Sequence, residues 1–405
     1  MKGKVCKLLG LIFIAIFALS IAHAVNALGV TTTIPVGTPG ANAPYDYYAA
    51  YDSGKGEVFV SNEGVATVSV ISDSTNAVVK NVPVRFSPDA MAYDSSKGEI
   101  FVTNGGPSTT LGTISVISDS TNTVVANVTV GTTPVGIAYD SNKDEIFVTN
   151  SGDIPPDISV ISDSTNAVVA NISLGLTGYN PIAGIAYDSS KSELFVAVQG
   201  QDTVLIISDS TNAVVGTVDL GNGVGRGVAY GVAYDSEKGE IFVTNAGVNA
   251  VSVISDSSNT VVANITVGNT PEEVAYDSHT DEIFATNTVD GTVSVISDST
   301  NNVVTTVTVG NGAFGVAYDP SKSEIFVTNA ADSTVSVISD ASGTSASPTP
   351  TASASSNPTA TASPSPTTPE FGTVALVSIS AAMVAVTLGA VAISRKKVKM
   401  TLKVK

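Results

Sequence analysis

The sequence is poor in the residues that most chemistry needs. It has one cysteine, two histidines and no tryptophan in 405 residues, and only 13% of its residues are charged. The cysteine, Cys6, precedes an apolar run at the N-terminus. A chain processed after that run would hold no thiol, disulfide or cysteine-based redox site. His279 is the only histidine beyond the first 27 residues. Zinc, copper and haem sites built on His and Cys are therefore excluded by count. A Ser–His–Asp triad would have to use His279, which lies in a repetitive turn.

Basic residues are scarce where folding is expected. Nine of the 18 lysines and arginines lie at the two ends. Residues 28–340 keep nine basic against 35 acidic residues, a net charge of −26. Phosphate binding needs clustered Lys and Arg, so nucleic acid is not an expected partner. No cofactor is called for, although so acidic a surface admits a divalent cation.

The ends carry addresses. Lys2, Lys4 and Lys7 precede an apolar run from Leu8 to Ala22, and Ala22-His23-Ala24 supplies a small-x-small cleavage pattern. Residues 1–27 are thus expected to be a signal peptide. Residues 371–393 form an uncharged apolar stretch of 23 residues, long enough to span a bilayer. Arg395, Lys396, Lys397, Lys399, Lys403 and Lys405 follow it. By the positive-inside rule, residues 394–405 are a cytoplasmic tail and the upstream chain faces outward. Between them, residues 341–370 are almost entirely Ser, Thr, Pro and Ala, a composition that cannot bury apolar surface. Proline keeps such a stalk extended, with a reach of about 90 Å. The expected location is the cell surface, with the membrane as one partner through the helix and an envelope protein or glycan as another.

The middle is a repeat. Ala-Tyr-Asp recurs at Tyr51, Tyr93, Tyr139, Tyr187, Tyr234, Tyr276 and Tyr318, with spacings of 42, 46, 48, 47, 42 and 42. Each unit holds four short runs rich in Val, Ile, Thr, Tyr and Phe, bounded by Asp, Ser, Asn and Gly. That is a strand-and-turn pattern. Apolar residues on consecutive positions, as in Glu240-Ile-Phe-Val243, suit sheets covered on both faces. Four strands per unit, seven times over, predict an all-β, seven-bladed β-propeller over residues 28–340; a solenoid of the same units is the alternative. The last unit stops at Asp340 after its third strand. Thr31-Thr-Thr-Ile-Pro-Val-Gly37 matches the fourth-strand segment Val125-Ala-Asn-Val-Thr-Val-Gly131. It is expected to complete the last blade and close the ring.

Phe147-Val-Thr-Asn150, Phe242-Val-Thr-Asn245 and Phe326-Val-Thr-Asn329, each followed by a Val-Ile-Ser-Asp block, resemble the repeats of the YVTN family of β-propellers of the archaeal surface-layer type. The resemblance covers about residues 30–340. It implies a propeller fold and a cell-envelope location, and no particular activity. Pro369-Glu-Phe-Gly372 looks like an archaeal sorting signal of the PEF type, which implies cleavage of the helix and attachment to the envelope; a retained helix is the alternative.

Recognition is expected on one face. The turns joining strands one and two, and three and four, barely vary between units; their Asp, Ser and Asn suit side-chain-to-backbone turn bonds. The loops joining strands two and three, and the links between blades, vary strongly. The residues four before each repeat tyrosine are expected near the channel mouth on this variable face. They are Tyr47, Asp89, Val135, Ala183, Tyr230, Glu272 and Phe314, with Glu273 beside them and Arg226 in the adjoining link. Aromatic and acidic groups together could hold a sugar, a cation or a protein segment, or simply plug the channel. The leading expectation is a non-enzymatic envelope or adhesion protein. The alternative is a lactonase- or lyase-like enzyme using Asp89, Glu272 and Glu273 with a divalent cation. Asn127, Asn171 and Asn264 lie in Asn-x-Ser/Thr sequons in fourth strands, candidates for rim glycans.

Overall fold

The computed structural model describes residues 28–37, 47–106, 110–178, 180–221 and 228–339. The signal peptide, stalk, apolar helix, basic tail, sorting motif and Arg226 expected above lie outside the described residues.

The described residues form 28 strands and no α-helix; a single 3₁₀ turn spans Glu63–Val65. Strand β1 (Gly29–Pro35) comes first. Blade 1 follows with β2 (Ala49–Asp52), β3 (Glu57–Asn62), β4 (Thr67–Ser72) and β5 (Ala77–Pro83). Blade 2 is β6 (Pro88–Asp94), β7 (Glu99–Asn104), β8 (Leu111–Ser118) and β9 (Thr123–Thr132). Blade 3 is β10 (Pro134–Asp140), β11 (Glu145–Asn150), β12 (Asp157–Ser162) and β13 (Ala167–Ser173). Blade 4 is β14 (Ile182–Asp188), β15 (Glu193–Val198), β16 (Thr203–Ser208) and β17 (Ala213–Asp219). Blade 5 is β18 (Ala229–Asp235), β19 (Glu240–Asn245), β20 (Ala250–Ser255) and β21 (Thr260–Thr266). Blade 6 is β22 (Pro271–Asp277), β23 (Glu282–Asn287), β24 (Thr292–Ser297) and β25 (Asn302–Thr308). The last three strands are β26 (Ala313–Asp319), β27 (Glu324–Asn329) and β28 (Thr334–Ser339).

Seven four-stranded antiparallel sheets result, so the chain is a seven-bladed β-propeller. The seventh sheet has the order β1-β28-β27-β26. Gly29 pairs with Ser339 and Pro35 with Thr334, so the N-terminal strand supplies the outermost strand of blade 7, as its sequence match predicts. A closed ring leaves no open sheet at the end of a solenoid.

Each blade is held from within by one phenylalanine in its second strand. Phe59, Phe101, Phe147, Phe195, Phe242, Phe284 and Phe326 are all fully buried. Valines and isoleucines of the third strands surround them, and burying each such side chain contributes roughly 1.5–3 kcal/mol. A polar relay runs beside them. In blade 1, Asn62 Nδ2 donates to Ser69 Oγ at 2.9 Å, and Ser69 Oγ donates to Asn81 Oδ1 at 2.7 Å. Blades 2, 3 and 5 repeat it. Blade 4 replaces it with Val198, Leu205 and Thr217.

The blades are stapled at their seams. At the end we call the turn face, a buried Asp closes each first turn; Asp52 Oδ1, for one, accepts the N–H groups of Gly54 and Lys55. This is the turn chemistry expected of Asp-Ser-x-Lys-Gly. The lysine of that turn then reaches the next blade. Lys55, Lys97, Lys143, Lys238 and Lys322 each donate to the main-chain carbonyl of an Asp in the neighbouring blade. Lys191 pairs with Asp256 at 3.6 Å. The Lys322–Asp73 contact joins blade 7 to blade 1 and fastens the ring a second time.

Candidate functional site: the central channel and its loop-face mouth

The innermost strand of every blade starts at the end we call the loop face, which also carries the links between blades and the loops after the second strands. Here the innermost strands come close together. Thr149 Oγ1 donates to Ala183 O of the next blade, Thr244 Oγ1 to Glu272 O, Thr286 Oγ1 to Phe314 O and Thr328 Oγ1 to Tyr47 O. The Thr of Val-Thr-Asn is therefore a seam residue. Close approach also explains a glycine. A Cβ on Gly184 would lie 2.5 Å from Tyr230 O, and one on Gly315 the same distance from Tyr47 O.

That position, three before the repeat tyrosine, is Gly or Ala in five blades and carries a large side chain in two: Tyr48 and Glu273. Tyr48 crosses the channel from blade 1. Its hydroxyl donates to the Tyr230 hydroxyl of blade 5 at 3.1 Å. Its ring meets Phe314 of blade 7 edge-on, centroids 5.1 Å apart, and Phe314 meets Tyr230 edge-on at 5.9 Å. Edge-to-face packing of this kind is the favoured aromatic geometry. Tyr48 and Phe314 are buried, while Tyr230 is half-buried. Three aromatic side chains thus plug the channel below its loop-face mouth. Burial raises the Tyr48 phenol well above its ordinary value, and the neighbouring Tyr230 phenol and the carboxyls of Asp89 and Glu273 push it the same way. Tyr48 is therefore a neutral donor at any physiological pH.

The plug roofs a chamber of about 140 Å3, lined by Tyr48, Glu273, Met91 and the backbone of Gly136 and Gly184. Toward the turn face the channel widens to a funnel of about 460 Å3, bordered by the repeat tyrosines Tyr51, Tyr93, Tyr276 and Tyr318. The repeat tyrosines also serve the seams: Tyr51 donates to Ser321 at 3.2 Å, and Asn142 Nδ2 donates to the Tyr187 hydroxyl at 2.7 Å.

The structure thus brings Tyr230, Phe314, Asp89 and Glu273 together around Tyr48. Glu272 is half-buried on the same strand start, and its carbonyl accepts from Thr244. Tyr47 is buried, its carbonyl bonded to Thr328 and to the Gly315 N–H. Val135 and Ala183 likewise present carbonyls to Thr103 and Thr149. Tyr48 is the member that a reading by repeat position misses, because it stands one residue off the shared register. Among the described residues, no group of three or more His, Cys, Asp or Glu is placed to hold a metal ion. No helix among them is long and apolar enough to cross a membrane. His279 is exposed on the turn face. Asn127, Asn171 and Asn264 are exposed on the outermost strands.

The sequence matches no family model, and no curated protein matches it. A solved chain of Kuenenia stuttgartiensis hydrazine synthase is similar, with a TM-score of 0.65 and 17% sequence identity, covering 75% of this chain and 99% of that one. At that identity the likeness extends to the propeller fold alone.

Proposed function

We propose that this chain is a non-enzymatic propeller displayed on the cell surface, which binds an envelope protein or glycan through its loop face. The observation that carries the reading is the difference between the two faces. On the turn face, the repeated Asp and Lys side chains are used in turns and seams. The loop face carries the segments that differ from blade to blade, around a mouth bearing Asp89, Tyr230 and Glu272. Rigid frames with variable loops are the usual setting for recognition.

Strand direction supports the same assignment. Strand β28 runs from the loop face to the turn face, so its last residue, Ser339, lies at the turn face. The loop face is the end of the propeller opposite Ser339. The resemblance to YVTN propellers and the net charge of −26 over residues 28–340 agree with an exported, surface-exposed protein that does not bind nucleic acid.

The test is protease treatment of intact cells, followed by detection of the propeller and of the basic tail. Loss of the propeller signal with survival of a short C-terminal fragment is the expected result. A fully protected propeller would refute surface display.

A further inference from the structure

Three of the seven outer strands share a chemistry that the binding surface does not use. Asn127 on β9, Asn171 on β13 and Asn264 on β21 each begin an Asn-x-Ser/Thr sequon, completed by Thr129, Ser173 and Thr266. All six residues are exposed. Each asparagine is also held in one orientation. Ser115, Ser159 and Ser252 donate to the three Oδ1 atoms at 3.2, 3.1 and 2.7 Å. Those serines in turn accept from the buried Asn104, Asn150 and Asn245. The relay fixes the amide oxygen against the blade, which turns Nδ2 toward solvent. Outermost strands have no partner on their outer side, so an enzyme can approach the segment in its extended form.

These three strands, like the outer strands of blades 1, 4 and 6, have an exposure to cover. Between Val116 and Ile117 the β8–β9 register slips by one residue, leaving Val125 as a bulge that is 52% exposed. Val169 and Val262 are the corresponding bulge residues of β13 and β21, 55% and 51% exposed. Each lies two residues before a sequon asparagine on the same strand. Bulges and bulky surface groups both protect sheet edges from pairing with other chains.

We propose that Asn127, Asn171 and Asn264 are N-glycosylated, and that the glycans shield the outer edges of blades 2, 3 and 5. The donor class is a lipid-linked oligosaccharide phosphate. Asparagine Nδ2 forms a bond to the anomeric carbon, the bond from that carbon to the phosphate oxygen breaks, the lipid phosphate leaves, and the Nδ2 proton passes to a base of the transferase. The proposal rests on export, because the donor sugar must meet the folded rim outside the cytoplasm.

Blade 1 provides an internal control. Asn81 sits in the same relay, accepting from Ser69 at 2.7 Å, but Pro83 stands where the sequon hydroxyl would be. The experiment is glycopeptide mass spectrometry of the full chain isolated from the envelopes of cells that make it, beside Asn127→Gln, Asn171→Gln, Asn264→Gln and Pro83→Thr variants. Glycan mass is expected at residues 127, 171 and 264 and not at 81; each Gln variant loses one glycan, and Pro83→Thr gains one at Asn81. Envelope-located protein that is bare at all three sites would overturn the proposal while leaving export intact. Protein confined to the cytoplasm would overturn export and the modification together. Three glycans with none gained in a folded Pro83→Thr protein would overturn the claim that relay and sequon suffice.

Discussion

The Tyr48 hydroxyl meets the Tyr230 hydroxyl at 3.1 Å across the channel, tying blade 1 to blade 5 through side chains 182 residues apart. With Phe314 against both rings, the pair closes the channel below the loop face. Tyr48→Phe keeps the ring and loses the bond, so it is expected to cost about 0.5–1.5 kcal/mol. Tyr48→Ala removes the plug and is expected to cost about 3–5 kcal/mol. Urea unfolding measures both. Equal costs would mean that the ring itself contributes nothing to the plug.

Closure of the ring by β1 gives a second expectation. Deleting residues 28–37 uncovers the outer edge of β28 and removes Ile34, which is 3% exposed, from its contact with the last blade. A single cooperative transition at clearly lower Tm is expected by scanning calorimetry. Lys322→Met removes only the Asp73 staple, a partly exposed contact, and is expected to cost about 1 kcal/mol or less. An unchanged Tm after the deletion would contradict velcro-like closure.

The repeat makes these larger features legible in the sequence. Period, blade count, strand order and the closing strand all follow from local patterns that recur seven times. The plug follows only in part: Tyr230 and Phe314 share one repeat position, but Tyr48 stands at the next, which is Gly or Ala in five blades. The lysine staples were hidden for a related reason. Asp52-Ser-Gly-Lys55 reads as a turn, and it is one, but Lys55 acts on Asp119 of the next blade. Sequence periodicity reports what each unit does within itself. Contacts between units depend on how far the units are rotated about the ring, which no single unit encodes.

The Asn–Ser relay is expected to behave as a unit. Asn245→Val leaves Ser252 without its donor in a buried site, and the expected cost is about 1–3 kcal/mol. Blade 4 already carries Val198 and Leu205 at the equivalent positions. The double variant Asn245→Val with Ser252→Leu should therefore recover part of that loss, giving a favourable coupling in a double-mutant cycle. Additive losses would argue against a shared relay.

Acidity should stabilise this propeller. Burial raises the carboxyls of Asp119, Asp163 and Asp298, and of Glu145, Glu193, Glu240 and Glu324, with neighbouring Asp charges adding to the shift. The native state then binds more protons than the unfolded chain between the ordinary carboxylate range and the raised native values. Stability falls as pH rises through that window. Repulsion within a net charge of −26 acts in the same direction. At low salt, Tm is expected to be higher near pH 5 than at pH 7.5. A fall in Tm on this mild acidification would contradict the upward shift of these carboxyls.

The most direct measurement is binding of labelled residues 28–340 to isolated envelopes from cells lacking the protein. Two variant sets are compared, one on the loop face (Tyr230→Ala with Glu272→Ala) and one on the turn face (Lys55→Ala with His279→Ala). Saturable binding that is lost in the loop-face set and kept in the turn-face set, with both sets folded, is the predicted result. Binding that survives the loop-face substitutions, or no saturable binding at all, would contradict recognition through that face.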